Sequence, residues 1–354
     1  MTLDMNRILV KGTNWIGDVF MSLPAVYSLR NIFPGAEIDI AVKRPLGDIF
    51  SAGLGSDVVD SVVEYEAGFS GELDFVRAVR AKRYDLGVIF PRSLHSALLL
   101  FAGGVKERVG YAADLRSPLL TKRVERTEEI RRVHQIEYYR HLVSVLGDPG
   151  PPVVPALILG DEDRRRGIDL LKKYGLPRGK AKGPLIGINP GAAYGAAKMW
   201  YPERFAEAAD SLVKEFGGRA VVFGGPGDVE AAGAVASSMR TPPISLAGRT
   251  TVKELILTLS FMDVFITNDS GPMHIAAALD VPIVAVFGST NHVTTAPMAG
   301  EGRARIVRRD DVECSPCLKR VCPEGHHRCM DLIEAEHVVV EARKFLLNGN
   351  QAKR

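Results

Sequence analysis

The sequence predicts an α/β protein built from two doubly wound domains that face each other across a cleft. Three observations lead to this prediction. Short apolar runs alternate with helical stretches in both halves of the chain, and such runs are typical of strands buried on both faces of a parallel sheet. A proline-rich segment separates the halves, and 354 residues are enough for two hydrophobic cores.

The first half contains five candidate strands separated by candidate helices. The strands are RILVKG (7–12), EIDIAV (37–42), DVVDSVVEY (57–65), DLGVIF (85–90) and RVGY (108–111). The helices are predicted over residues 19–33, 46–53, 73–82, 94–101 and 134–146. Because parallel strands need a crossover connection, this alternation predicts a parallel sheet covered by helices.

The connection between the halves is predicted from proline and glycine. GDPGPPVVP (147–155) contains four prolines, and a charged helix is predicted to follow it over residues 161–174. The basic segment LPRGKAKGP (176–184) then forms a second connection. The first domain is therefore predicted to cover residues 1–175, and the second residues 183–354.

The second half repeats the alternation of strands and helices. Its candidate strands are PLIGINPG, RAVVFGG, PISLAG, DVFITND and PIVAVFGST. Helices are predicted over residues 203–216, 228–239 and 252–261, and again after His274. In doubly wound sheets ligands bind beyond the carboxyl ends of the strands, so the candidate functional residues are those that follow each apolar run.

Charge and hydropathy exclude several classes of protein. A formal net charge of +3 is too small to indicate a nucleic-acid-binding protein. The sequence has no apolar run of the roughly 20 residues that a membrane span needs, and its beginning lacks the layout of a secretory signal. We therefore expect a cytoplasmic protein. A basic run at residues 116–132 indicates a solvated face or a surface that meets phosphate or anionic lipid.

The first strand ends in KGTNWIGDVFMSLP (11–24), where Asp18 stands near the start of the next helix. A carboxylate there is either a general base or a helix N-cap, a role that aspartate often fills. The loop lacks the GxGxxG pattern, which argues against a nicotinamide-dependent dehydrogenase.

Two loops of the second half supply candidate contacts to a nucleotide. In NPGAAYGAAKMWYPERF (189–205), Lys198 is either a point charge for a diphosphate or an ordinary surface lysine. In VVFGGPGDVE (221–230), Gly224 permits close backbone approach, and Asp228 or Glu230 is placed to accept ribose hydroxyls. The second pattern by itself is weakly specific.

The strand DVFIT runs into the turn NDSGPMH (268–274), which opens an alanine-rich helix. Asp269 and Ser270 are expected to cap this helix, Gly271 to allow the tight turn, and Pro272 to occupy the first helical position. The helix start would then offer N–H groups and a positive dipole to an anion. His274 is either a neighbour of that anion or a structural histidine.

Taken together, these segments resemble the ADP-heptose:lipopolysaccharide heptosyltransferases, which have two Rossmann-like domains in the GT-B architecture. The resemblance is carried, in the same order along nearly the whole chain, by LVKGTNWIGDVFMSLPAVYSLR, PGAAYGAAKMWYPERFAE and ITNDSGPMHIAAALDVPIVAVFG. The AKxW form of the lysine loop and the NDSGxMH form of the turn most resemble the type II branch, which adds the second inner-core heptose.

The resemblance implies a role for each motif. Asp18 would be the catalytic base, Lys198 would contact the diphosphate, and the turn would hold ADP-heptose through Asp269, Ser270, Gly271, Met273 and His274. The reaction would invert the anomeric centre and need no metal. The first domain would bind the acceptor, a phosphorylated heptosyl-Kdo2-lipid A, and the second the donor.

The acceptor implied by the resemblance is a lipid, so peripheral contact with the cytoplasmic face of the inner membrane is expected. We expect Arg92 and the basic run at 116–132 to face the anionic sugars and the membrane. Alternatives are a type I enzyme, an epimerase of the same architecture, and a non-catalytic ADP-sugar-binding protein.

The segment CSPCLKRVCPEGHHRCM contains all four cysteines of the chain, and His326 and His327 lie between them. The pattern indicates either a structural zinc site or free thiols, since disulfides are disfavoured in the cytoplasm. The candidate ligands are Cys314, Cys317, Cys322 and Cys329. We do not expect catalysis to depend on them.

Overall fold

The computed structural model describes residues 5–176 and 183–352, and it divides the chain into two compact units between Pro155 and Ala156. The basic connection predicted at 176–184 lies largely outside the described residues. The described residues include no helix long and apolar enough to cross a membrane.

The first unit contains a six-stranded parallel sheet in the order β3-β2-β1-β4-β5-β6. The strands are β1 (Arg7–Lys11), β2 (Glu37–Lys43), β3 (Ser61–Tyr65), β4 (Leu86–Ile89), β5 (Glu107–Tyr111) and β6 (Lys122–Val124). The first five confirm the predicted strands. β6 was not predicted because it is a short edge strand inside the basic run, and only its last residue is buried.

The helices of the first unit are α1 (Ile16–Ile32), α2 (Gly47–Ser51), α3 (Phe69–Lys82), α4 (Leu94–Ala102), α5 (Glu128–Arg132) and α6 (Gln135–Ser144). Five of these six helices confirm those predicted from the apolar pattern, and α5, a short helix within the basic run, was not predicted. α1 packs against α6, and most of its residues are buried. This packing brings α6 alongside the helix that carries Asp18.

The second unit repeats the strand order of the first, read from the opposite edge as β12-β11-β10-β7-β8-β9, and all of its strand pairs are parallel. The strands are β7 (Leu185–Asn189), β8 (Arg219–Val222), β9 (Ile244–Ser245), β10 (Val264–Asn268), β11 (Ile283–Val286) and β12 (Ala304–Val307). Five were predicted. β12 was not, because it is an edge strand without fully buried residues.

The helices of the second unit are α7 (Asp161–Lys173), α8 (Pro202–Phe216), α9 (Val229–Ser238), α10 (Val252–Leu259), α11 (Gly271–Ala278), α12 (His292–Thr295), α13 (Arg328–Asp331) and α14 (Ala335–Ala352). α14 packs against α8 and β10, and its buried Val338 and Ala342 belong to the core of the unit. The sequence had not predicted α14.

The position of α7 differs from the sequence prediction, which had placed the first domain boundary after residue 175. α7 packs against α10, Lys253 Nζ lies 3.3 Å from Asp163 Oδ1, and Gly167 lies close to the ring of Phe261. The helix therefore belongs to the second unit. The boundary between the units lies at the end of the proline-rich segment, before α7. The prediction had instead assigned α7 to the first domain.

The topology fixes where each unit can bind a ligand. In both sheets the strand order reverses beside the first strand, between β1 and β4 in the first unit and between β7 and β10 in the second. Ligands of doubly wound sheets bind beyond the carboxyl ends of the strands at such a reversal. The segments beyond Lys11, Ile89, Asn189 and Asn268 are therefore the candidate binding loops.

Candidate active site

Asp18 is the third residue of α1, and Trp15 occupies the N-cap position of this helix. The interpretation of Asp18 as the N-cap is therefore wrong. The Tyr139 hydroxyl on α6 donates a long hydrogen bond of 3.4 Å to Asp18 Oδ1. Burial, and next the charge of Asp18, raise the pKa of Tyr139 well above its usual value. Tyr139 is therefore a neutral phenol that donates to a partly exposed carboxylate.

A group of arginines lies near Tyr138, the residue next to Tyr139. Burial raises the pKa of Tyr138, and the nearby charges of Arg126, Arg92 and Arg116 oppose that rise. The Arg126 guanidinium carbon lies 5.7 Å from the centre of the Tyr138 ring, which in turn packs edge-on against Tyr139. Three cations and the candidate base thus lie around one pair of tyrosines.

Arg116 is the most unusual of these three cations because its side chain is completely buried. Its Nε donates to the Tyr111 carbonyl at 2.8 Å and its Nη1 to the Pro91 carbonyl. Its Nη2 and the Nε of Arg126 are buried and have no hydrogen-bond partner among the described residues. Burial lowers the pKa of Arg116 to about 10, so it is still charged at neutral pH.

The basic run at 116–132 therefore divides into two groups. Arg116 is buried and Arg126 is half-buried, and both lie with Arg92 near Tyr138. The remaining members of the run are exposed, namely Lys122, Arg123, Arg131 and Arg132. The run is therefore not simply a solvated face, because Arg116 is buried and Arg126 is half-buried.

In the second unit, the loop after β7 leads to a 3-10 turn, Ala196–Lys198. Lys198 Nζ lies 2.8 Å from Asp269 Oδ2, and the two side chains are only 14% and 5% exposed. The alternative of an ordinary surface lysine is therefore wrong. The ion pair joins two of the predicted motifs, which are 71 residues apart in the sequence.

Two asparagines that were not predicted as site residues hold these loops together. Asn268 Oδ1 accepts the Trp200 amide at 3.0 Å, and its Nδ2 donates to the Pro190 carbonyl at 2.7 Å. Asn189 Nδ2 donates to Ser270 Oγ at 3.2 Å. Each asparagine ends a buried strand, and this position was the only signal in the sequence that could have identified them.

The start of α11 differs in detail from the expected cap. Ser270 occupies the N-cap position, but its side chain makes no cap hydrogen bond and its Oγ lies 3.0 Å from Thr267 Oγ1. Gly271 is the first helical residue, so Pro272 is the second rather than the first. Because neither Asp269 nor Ser270 caps the helix through its side chain, the positive end of the helix dipole remains available to an anion.

The other predicted residues of this turn are less accessible. Met273 is completely buried, and His274 is 5% exposed. In this conformation a ligand cannot reach the Met273 side chain. We therefore expect Met273 to support the turn from within the unit rather than to contact a ligand.

Asp228 connects the loop after β8 to the loop after β7. Its Oδ2 accepts the Gly225 amide at 2.8 Å. A Cβ on Gly191 would lie 2.2 Å from Asp228 Cγ, and one on Gly224 would lie 2.8 Å from Asp228 Cβ. Both glycines are therefore needed for close packing around this carboxylate. The alternative carboxylate, Glu230, is exposed on α9.

The cysteine-rich segment 314–329 packs behind the turn that carries Lys198. The Ala197 amide donates to the Arg320 carbonyl at 3.0 Å, and His327 Nε2 lies 3.1 Å from the Ala197 carbonyl oxygen. The Tyr194 ring has Lys198 Nζ 5.1 Å and the Arg320 guanidinium carbon 5.3 Å from its centre. This segment therefore holds the lysine turn in place.

The four cysteines form no disulfide bonds. Burial raises the pKa of Cys329 to about 11, and the other three thiols add to that rise, so Cys329 is a neutral thiol. Within the ranges 5–176 and 183–352, no three histidine, cysteine or acidic side chains are arranged to hold a metal ion.

Two doubly wound units, with a buried cation and a free helix start at the strand reversal of the second, define a class of protein. The class is the GT-B glycosyltransferases. The sequence model of glycosyltransferase family 9 (heptosyltransferase) matches residues 73–328. The chain belongs to this family.

Relatives of known name match over almost the whole chain. The lipopolysaccharide heptosyltransferase 2 of Escherichia coli K12 is 29% identical, and the alignment covers 96% of this chain and 99% of the relative. The lipooligosaccharide heptosyltransferase 2 of Campylobacter jejuni serotype O:2 is 26% identical, over 97% and 99% of the two chains.

Solved structures have the same fold. The structure of Escherichia coli ADP-heptose lps heptosyltransferase II superposes with a TM-score of 0.81 at 27% identity, and covers 97% of this chain and 99% of that one. A glycosyl transferase family 9 protein from Veillonella parvula has a TM-score of 0.84 at 26% identity, over 98% and 99%.

We expect His327→Ala to loosen the turn that carries Lys198, because the hydrogen bond to the Ala197 carbonyl is lost. A bond worth about 1 kcal/mol corresponds to roughly five-fold faster hydrogen exchange over residues 196–199. His327→Gln keeps a donor at a similar reach and should restore protection. His326→Ala, at the exposed neighbouring position, is the control. Equal exchange in His327→Ala and the wild type would refute the role of His327.

Proposed function

We propose that this protein transfers L-glycero-D-manno-heptose from ADP-heptose to heptosyl-Kdo2-lipid A in the synthesis of the lipopolysaccharide inner core. The observation that carries the proposal is the buried pair of Lys198 and Asp269 beside the uncapped start of α11. Relatives named heptosyltransferase 2, which align with nearly the whole chain, support the choice of the type II reaction.

On the donor side, the leaving group is a nucleoside diphosphate that gains negative charge as the glycosidic bond breaks. Lys198 is already buried at the strand reversal, so little side-chain entropy is lost when it contacts a phosphate. The helix dipole of α11 attracts the same charge. Asp269 holds the ammonium in place, and Gly271 allows backbone approach. These groups stabilise the departing diphosphate without requiring a metal.

On the acceptor side, we assign the role of general base to Asp18. Its carboxylate takes the proton of the acceptor hydroxyl as that hydroxyl attacks the anomeric carbon, and the attack opposite the leaving group inverts the centre. The hydrogen bond from Tyr139 orients the carboxylate.

The acceptor contains phosphate and carboxylate groups, and Arg92, Arg116 and Arg126 offer a complementary site. Arg116 is buried, Arg126 is half-buried and Arg92 is exposed, and gathering like charges at such a site is unfavourable unless an anion neutralises them. The buried Nη2 of Arg116 and Nε of Arg126 are unpaired donors of the kind that a phosphate or carboxylate oxygen satisfies. The cluster lies around Tyr138, whose ring packs against Tyr139, and Tyr139 contacts the proposed base Asp18.

Three other functions compete with this proposal. An epimerase of the same architecture would release a free sugar without an acceptor, and a binding protein would take up ADP-heptose without turnover. A type I enzyme would use an acceptor that carries no heptose. We propose a cytoplasmic location at the membrane face, since the acceptor is a lipid.

The proposed function is tested by incubation with ADP-heptose and acceptors that carry zero or one heptose, followed by mass measurement. We expect one heptose to be added to the acceptor that already carries one. Addition only to the heptose-free acceptor would instead establish the type I reaction. Release of free sugar without any acceptor would establish the epimerase.

The donor and acceptor sides of the mechanism predict that two substitutions affect different quantities. Asp18→Asn should lower kcat by about a thousand-fold and leave ADP-heptose affinity unchanged, because only the base is lost. Lys198→Met should weaken ADP-heptose binding by roughly ten- to a hundred-fold, because one charged contact is lost. Calorimetry and initial rates separate the two effects. Substantial turnover by Asp18→Asn would exclude Asp18 as the base.

If the arginine cluster binds the acceptor, substitutions in it should change the acceptor KM but not the donor KM. Arg92→Gln and Arg126→Gln should each raise the acceptor KM by roughly ten-fold, since each removes a charge-assisted hydrogen bond. The donor KM should stay constant. Arg131→Gln is a matched control, because Arg131 belongs to the same run but is exposed and paired with Glu128. If Arg131→Gln has the same effect, a diffuse basic surface rather than this cluster binds the acceptor.

We propose from the sequence pattern that the cysteine-rich segment holds a structural zinc ion, and free thiols are the alternative. Elemental analysis of the purified protein distinguishes the two. One equivalent of zinc, lost together with Cys314→Ser, would establish the metal. Absence of zinc with four titratable thiols in the unfolded protein would establish free cysteines.

A further inference from the structure

The outer face of α4 carries an apolar stripe that the proposed reaction does not use. Leu94, Leu98 and Phe101 are 44%, 47% and 51% exposed, and their spacing places them on one side of the helix. Single exposed leucines are common on soluble proteins, but three on one helix face form a continuous surface. Apart from His95, α4 contains no titratable side chain.

α3 extends this surface because it lies alongside α4. Glu72 and His95 are joined by a 3.0 Å contact at the starts of the two helices, and Arg80 Nη2 donates to the Ala102 carbonyl at 2.7 Å near their ends. Helical spacing places two further exposed residues, Phe69 and Leu73, on the same side of α3 as Arg80. The five apolar side chains of α3 and α4 are called the apolar face below.

Cations border the apolar face at one end. The Arg108 guanidinium carbon lies 5.3 Å from the centre of the Phe101 ring, and Arg80 lies beside the last turn of α4. Both guanidinium groups donate hydrogen bonds to backbone carbonyls. Neither arginine belongs to an ion pair among the described residues. Their charge is thus available to an anionic partner.

We propose that the apolar face docks on a bilayer that contains anionic lipid. Apolar side chains bordered by arginine match the boundary between acyl chains and phosphate headgroups. The alternative occupant is a second copy of the chain in a two-fold contact, and the test below distinguishes it from a bilayer. The inference rests on the proposed function, since a lipid acceptor requires an enzyme that works at a membrane surface.

The position of α4 in the first unit agrees with this role. α4 follows β4, so its first turn lies at the carboxyl edge of the first sheet. α1, which carries Asp18, begins at the same edge after β1. A bilayer on the apolar face would therefore lie beside the unit that is proposed to bind the lipid-linked acceptor.

The test is co-sedimentation of the full chain with vesicles of phosphatidylethanolamine and phosphatidylglycerol, compared with phosphatidylcholine vesicles. The double variant Leu98→Gln/Phe101→Gln should bind the anionic vesicles at least about ten-fold more weakly than the wild type. Arg80→Gln should bind anionic vesicles about five-fold more weakly than the wild type, and its binding to neutral vesicles should change little. Ile168→Gln/Leu347→Gln removes equally exposed apolar side chains of the second unit and should bind like the wild type.

Two outcomes would overturn the inference. One is unchanged vesicle binding by the double variant. The other is that light scattering shows a dimer for the wild type and a monomer for the double variant, while both bind vesicles equally. A second copy of the chain would then be the partner of the apolar face. Heptose transfer to a deacylated, soluble acceptor separates this inference from the proposed function. If the wild type binds vesicles through the apolar face but transfers no heptose, only the proposed function fails.

Discussion

The buried ion pair between Lys198 and Asp269 is the interaction on which the candidate donor site depends. It links the loop after β7 to the turn after β10, the two strands beside which the order of the second sheet reverses. Asp269 holds the Lys198 ammonium in place through this ion pair, and Asn189 and Asn268 fix the surrounding backbone.

The two units differ in whether their buried positive charges have a carboxylate partner. In the second unit the cation has a carboxylate partner, so the site is electrostatically complete and a phosphate must compete with Asp269 for Lys198. In the first unit Arg116 is completely buried with one unpaired nitrogen, and Arg92 and Arg126 lie close to the same tyrosine. An anionic acceptor, as proposed above, would supply the missing partner. This difference fits a nucleotide donor on one unit and an anionic acceptor on the other.

The cysteine-rich segment shows how residues outside the two candidate sites can influence them. It contacts the lysine turn through the Arg320 carbonyl and through His327, and the Tyr194 ring lies beside both Lys198 and Arg320. The segment therefore acts on the position of Lys198 through backbone and ring contacts. Its thiols do not need to reach the substrate for the segment to matter.

The sequence by itself determined the alternation of strands and helices, the two-domain class and the strand ends that carry Asp18, Lys198 and Asp269. These follow from apolar periodicity and turn residues, which are local properties of the chain. Only the tertiary structure decided that Lys198 pairs with Asp269, that Arg116 turns inward while Arg131 stays exposed, and that α7 belongs to the second unit. Edge strands such as β6 lacked a buried pattern to identify them. Partners and burial depend on packing between residues far apart in sequence, which no local pattern records.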